Sequence, residues 1–190
     1  MSYQKYKTSA IVVGARNHGE GSRLIYILTK DLGLLIIRAQ SIRELRSKIR
    51  FHVQYGDRCR VDLVRGKEFW RLTGGHKEMN TRHSTRSLYW FSRSTELIRS
   101  LAGFGEYQYR LFVILSEAVH SFHIHVDAPE ELIDKIGHIL LARILDEMGY
   151  WGDWHREIIE TDIEELIVGG FSMPSRFSQY LAQAMEQAGV

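Results

Sequence analysis

The chain has 190 residues, 44% of them hydrophobic, enough to bury on the order of 70% of its unfolded surface in one or two domains. Its single cysteine, Cys59, excludes an internal disulfide and a thiolate-rich zinc site within one chain, and it fits a reducing cytoplasm. A net charge of +2 conceals a division: residues 1–99 carry 20 Lys and Arg against 8 Asp and Glu, net +12, whereas residues 100–190 carry 5 against 15, net −10.

Asymmetry of that size directs the first half toward nucleic acid or an acidic membrane surface, and away from a uniform enzyme surface. The start, MSYQKYKTSAIVV, holds only a four-residue apolar run, and no stretch of about 18 apolar residues exists to serve as a signal peptide or membrane span. A cytoplasmic protein is expected.

In chain order, SAIVVG, RLIYILT, LLIIRA, CRVDLV and EFWRLT read as strands. In CRVDLV the side chains of Cys59, Val61 and Leu63 alternate with Arg60 and Asp62, as a half-buried antiparallel strand requires. DLG at 31–33 and RGK at 65–67 are hairpin turns between them. Five short strands in roughly 75 residues predict a small closed barrel, of which the oligonucleotide-binding (OB) barrel is the common five-stranded form.

Beyond residue 85 the period becomes helical. Tyr107, Leu111, Ile114, Leu115, Ala118 and Phe122 form one apolar stripe. Asp127 with Glu130 has the spacing of a capping box, Pro129 sits in the first turn, and Leu132, Ile136, Leu140, Ile144 and Met148 follow before Gly149. Asp162 with Glu165 opens a shorter helix, and Pro174 introduces a last one bearing Phe177, Leu181, Ala184 and Ala188. The expected class is α+β: a five-stranded OB-fold domain over 1–80, then an all-helical domain over 81–190.

Catalytic signatures are weak. GARNHGEGS spaces Gly14 and Gly19 like a phosphate loop, but Glu20 stands where that loop needs its lysine, so the stretch reads as a strand-joining turn. HSFHIH brings His120, His123 and His125 together in sequence, in no known ligand spacing, and His125 lies past the end of the helix that would carry the other two. No nucleophile is indicated. No cofactor is called for, and binding rather than catalysis is expected.

The basic residues of the first half carry more. RAQSIRELRSKIR, residues 38–50, sets Arg38, Arg43, Arg46, Lys48 and Arg50 around one acid, Glu44. Further cations recur on successive elements: Arg58 and Arg60, Arg65 and Lys67 at a hairpin tip, Arg71, then Lys77, Arg82 and Arg86. A charge run is commonly just a solvated face. Three features argue otherwise: guanidinium predominates, which forms paired bonds to phosphate; the cations repeat along the barrel; and Phe69 and Trp70 interleave with them as surfaces on which bases can stack. Neighbours on a strand face opposite sides, so one of these two rings belongs to the core. A groove gripping the backbone by charge predicts strong salt dependence and little sequence preference.

Read together, IVVGARNHGEGSRLIYILTKDLGLLIIRAQ, the basic segment and FHVQYGDRCRVDLVRGKEFWRLT resemble the N-terminal barrel of the RecO family of bacterial recombination mediators. LYWFSRSTELI and HILLARILDEMGY resemble that family's helical portion. The resemblance implies an OB barrel followed by a helical domain, in a protein that binds single- and double-stranded DNA, anneals complementary strands, and with RecR helps load RecA onto DNA coated by single-strand binding protein. By matching position it implies DNA contacts at Arg23, Arg38, Arg43, Arg46, Lys48 and Arg50, to which the residue reading adds Arg65, Lys67, Arg71 and Trp70. The family's four-cysteine zinc site has no counterpart in GYWGDWHREIIE, and the negative charge of residues 100–190 argues against capture of the acidic tail of single-strand binding protein. Two other classes stay open: a metal-dependent nuclease built from the histidines with Asp127 or Glu117, and a protein-interaction adaptor that binds no DNA.

Overall fold

The long apolar run at the start becomes one strand that serves two partners. In the computed structural model, which describes residues 4–40, 52–79 and 81–190, β1 (Lys5–His18) pairs antiparallel with β4 (Arg58–Arg65) through its first half and with β2 (Ser22–Thr29) through its second. A shift of register between Val12 and Gly14 marks the bend that makes this double pairing possible. β2 continues antiparallel into β3 (Gly33–Ala39), β4 pairs antiparallel with β5 (Trp70–Lys77), and two parallel pairs, Ile37 with Trp70 and Arg38 with Arg71, close the barrel in the order β1-β2-β3-β5-β4. This is the five-stranded OB-type barrel that the strand pattern predicts, and helices follow it.

Alternation fills the barrel. Ala10, Val12, Ile25, Ile27, Leu35, Ile37, Ala39, Val53, Cys59, Val61 and Leu63 form its core, with Tyr6, Leu32, Trp70 and Leu72 packed at its margins. The intervening Ile11, Val13, Leu24, Leu28 and Leu34 are buried as well, which explains why β1 and β2 read as unbroken apolar runs rather than alternating ones. The DLG turn depends on Gly33: its φ is +69°, and a β-carbon there would overlap the Glu106 carbonyl.

Six helices follow: α1 (Thr85–Leu101), α2 (Tyr109–Ile124), α3 (Glu130–Glu147), α4 (Arg156–Glu160), α5 (Ile163–Val168) and α6 (Phe177–Gln187). The chain falls into two units, residues 1–81 with 103–113, and residues 82–102 with 114–190. The return between α1 and α2 belongs to the first of these units.

In the helical unit α1 packs on α3, which also carries α4 and α6. Trp90 of α1 lies against Gly137 of α3, where any side chain would collide with the indole. Asp134 receives both Arg86 and the Trp90 indole N–H (2.7 Å). Buried Arg143 donates to Glu117 (2.8 Å) and to the carbonyls of Ile158 and Thr161, tying the end of α4 to α3. The capping box expected of Asp127 and Glu130 does not form: Pro129 is the cap residue, which makes Glu130 the first helical residue rather than the third, and Asp127 instead faces Arg82 at 3.6 Å. Asp162 does cap α5, accepting from the amides of Glu164 and Glu165 (2.8 and 3.4 Å). α6 starts at Phe177, three residues after Pro174, and α4 carried too short a pattern to be expected.

Candidate nucleic-acid interface

The parallel closure of the barrel decides which cations meet. Because Arg38 of β3 pairs with Arg71 of β5, and Arg65 of β4 pairs with Trp70, the end of β3 and the β4–β5 hairpin lie side by side. The hairpin is tight: the Gly66 amide donates to the Phe69 carbonyl at 3.1 Å. Together they enclose an open cleft of about 750 Å³ lined by Arg38, Arg65, Gly66, Lys67, Glu68, Phe69 and Arg71. Among the described residues, four cations and one acid share that lining.

The neighbouring end of β1 adds to it. His18 meets Phe69 edge-on with ring centroids 6.0 Å apart, and Arg23, exposed at the start of β2, donates to the Asn17 side chain at 3.4 Å. Arg16, Arg23, Arg38, Arg65 and Lys67 form no ion pair with any described carboxylate, whereas cations at the other end of β4 are paired. There Glu78 takes Arg58 (3.2 Å) and Arg60 (3.4 Å), and the buried Asp57 takes Lys77 (3.0 Å). Seven residues of strand, about 23 Å, separate Arg58 from Arg65. Among the described residues, the barrel thus has one end whose cations are paired with carboxylates and one at which Arg38, Arg65 and Lys67 are not.

Of the two interleaved aromatics, the strand pairing gives Trp70 to the core margin. It packs edge-to-face on Tyr6 at 5.1 Å with the Arg65 guanidinium 6.0 Å from its ring. Trp70, expected in the DNA-binding set, is not a lining residue of the cleft; its neighbour Phe69 is. The parallel partner Ile37, which points into the barrel, places Trp70 inward and leaves Phe69 outside, and no local pattern reveals that pairing. Arg43, Arg46, Lys48 and Arg50 lie outside the described residues.

The histidines of HSFHIH have separate engagements. His123 Nδ1 accepts from the Arg82 amide (3.1 Å), His125 Nε2 meets Glu164 (2.9 Å), and His120 is exposed. Among the described residues no three His, Cys, Asp or Glu side chains are grouped to hold a metal, and no helix is long and apolar enough to cross a membrane. Arg82 and Arg86, placed on the basic track by sequence, are engaged by Asp127 and Asp134.

A family model described as "Recombination protein O N terminal" matches residues 1–76. Over 69 residues, 36% of this chain, the sequence is 39% identical to DNA repair protein RecO from two strains of Dehalococcoides mccartyi, CBDB1 and ATCC BAA-2266, covering 27% of each of those proteins. Over 117 residues, 60% of this chain, it is 29% identical to DNA repair protein RecO from Pelotomaculum thermopropionicum, covering 46% of that protein. The matched stretches therefore span from about a quarter to just under half of these relatives.

Proposed function

We propose that this protein, whose residues 1–76 match the family model of the RecO N-terminal domain, is a DNA repair and recombination mediator that binds and anneals DNA and helps load RecA onto DNA coated by single-strand binding protein. The observation that carries the reading is the cleft where Arg38, Arg65, Lys67 and Arg71 converge on Phe69 at the β4–β5 hairpin. Cations there replace condensed counterions on phosphate and lower the repulsion between two strands, while the base edges remain available for pairing. Guanidinium forks suit phosphate oxygens, and the phenyl ring offers a stacking face. Annealing on such a surface needs positioning and charge, with no catalytic group. Arg23 and the residues Arg43, Arg46, Lys48 and Arg50, which follow Arg38 in the sequence, are proposed as further DNA contacts. RecR is the proposed partner in loading; the acidic second half disfavours direct capture of another acidic segment.

The test titrates labelled single-stranded DNA at several salt concentrations with the full chain and an Arg38→Ala/Lys67→Ala/Arg71→Ala variant. Each lost phosphate contact lowers the slope of log affinity against log salt by about 0.7, so the variant's slope should be shallower by about 2, with markedly weaker binding at low salt. An Arg43→Ala/Arg46→Ala/Lys48→Ala variant examines the preceding segment in the same way. Equal slopes and affinities for wild type and the cleft variant would remove the cleft from the DNA site.

A further inference from the structure

The return between α1 and α2 brings to the barrel unit a set of rings that the basic cleft does not use. The Gly105 amide donates to the Leu34 carbonyl (2.9 Å), Phe104 and Leu34 form a parallel bridge, and the backbone of Glu106 closes over Gly33. This return thus docks on the first half of β3 as β5 docks on the second half. Arg38, Ile36 and Leu34 share the outer face of β3, since Leu35 and Ile37 point into the barrel. Along that face the Arg38–Arg71 pair lies only about 13 Å from the Leu34–Phe104 pair. Between them stand Ile36 and its cross-strand partner Tyr26, both half-buried, with the Tyr26 ring 6.3 Å from that of Phe104. Beyond lie Tyr107 and Tyr109, parallel within 6° at 6.4 Å, with Lys30 Nζ 5.9 Å from the Tyr109 centroid. Phe104 is 50% exposed and Tyr107 71%.

We propose that single-stranded nucleic acid runs from the basic cleft along this strip, stacking its bases on Phe104 and Tyr107 with its backbone passing Lys30. The proposal rests on the cleft being the DNA site and adds a second subsite that selects single strands. Rings held against a strand by main-chain bonds are ordered before binding, so little entropy is lost when a base stacks on them. A duplex keeps its bases inside and cannot use them. Glu106 and Asp31, the latter accepting from the Thr8 hydroxyl at 2.7 Å, offset Lys30, so the strip contributes stacking rather than counterion release. Continuity with the cleft favours a nucleic-acid strand over a protein segment as the occupant.

The experiment compares oligo-dT and a duplex of equal length on the full chain and on a Phe104→Ala/Tyr107→Ala variant. Loss of one stacked base should weaken oligo-dT binding about fivefold or more, with the salt slope retained and duplex affinity held within about twofold. A Tyr107→Trp variant should bind oligo-dT like wild type, and its indole fluorescence should be quenched as the oligonucleotide is added. Unchanged oligo-dT affinity in the double variant, absence of quenching, or an equal loss on the duplex overturns the proposal and leaves the rings to a protein partner. Failure of wild-type chain to bind any DNA in a salt-dependent way would instead overturn the cleft reading on which it rests.

Discussion

At the scale of single residues, burial decides chemistry. Cys59 is fully buried in the barrel core, its thiol donating to the Ala10 carbonyl at 3.6 Å. Burial, helped by the carboxylates of Asp57 and Glu78, pushes its pKa up to about 12. The reactive thiolate is therefore scarce at neutral pH. Iodoacetamide should label Cys59 of the native chain far more slowly than the denatured chain at pH 7.5; equal rates would show an accessible thiol. Both the burial and the alternation that causes it are visible in CRVDLV alone. Which of Phe69 and Trp70 turns outward is not, because that choice belongs to the register with Ile37.

At the scale of elements, the α1–α3 contact combines the packing of Trp90 on Gly137 with a shared carboxylate, Asp134. Hydrogen bonding from Arg86 and then from the Trp90 indole keeps the Asp134 carboxyl below its usual range, against partial burial. A carboxylate depressed in the folded state adds stability that is complete above the unfolded pKa of about 3.9 and is lost as pH falls through the lower folded value. Thermal melts should thus show wild type losing an increment of stability in strong acid that Asp134→Asn lacks, while the variant melts lower at pH 7. Parallel pH profiles would contradict this role. The helices themselves follow from their apolar stripes and from Asp162, yet the start of α3 shows the limit of motif reading. A capping box needs its two members at N-cap and N3, and Pro129 moved the cap by two positions.

At the scale of the whole molecule, charge is sorted by the fold. Sequence puts Arg58 and Arg60 in the same basic track as Arg65 and Lys67, but strand length sets them at opposite ends of the barrel, and Glu78 neutralises the first pair. An Arg58→Ala/Arg60→Ala variant should therefore bind single-stranded DNA within about twofold of wild type and keep its salt slope, in contrast to the cleft variant. A slope reduced as much as that of the cleft variant would show that both ends engage phosphate.

Composition and periodicity by themselves determined the five strands, the switch to helices, the buried cysteine and the concentration of positive charge in the first half, because each depends on neighbours within a few positions of the chain. Only the tertiary structure decided which cations oppose a carboxylate, which ring lines the cleft, and that residues 103–113 join the barrel. Those outcomes depend on pairings between segments distant in sequence, such as Arg58 with Glu78, Arg38 with Arg71 and Leu34 with Phe104. Such pairings are set by barrel closure and register, to which no local pattern of side chains is sensitive.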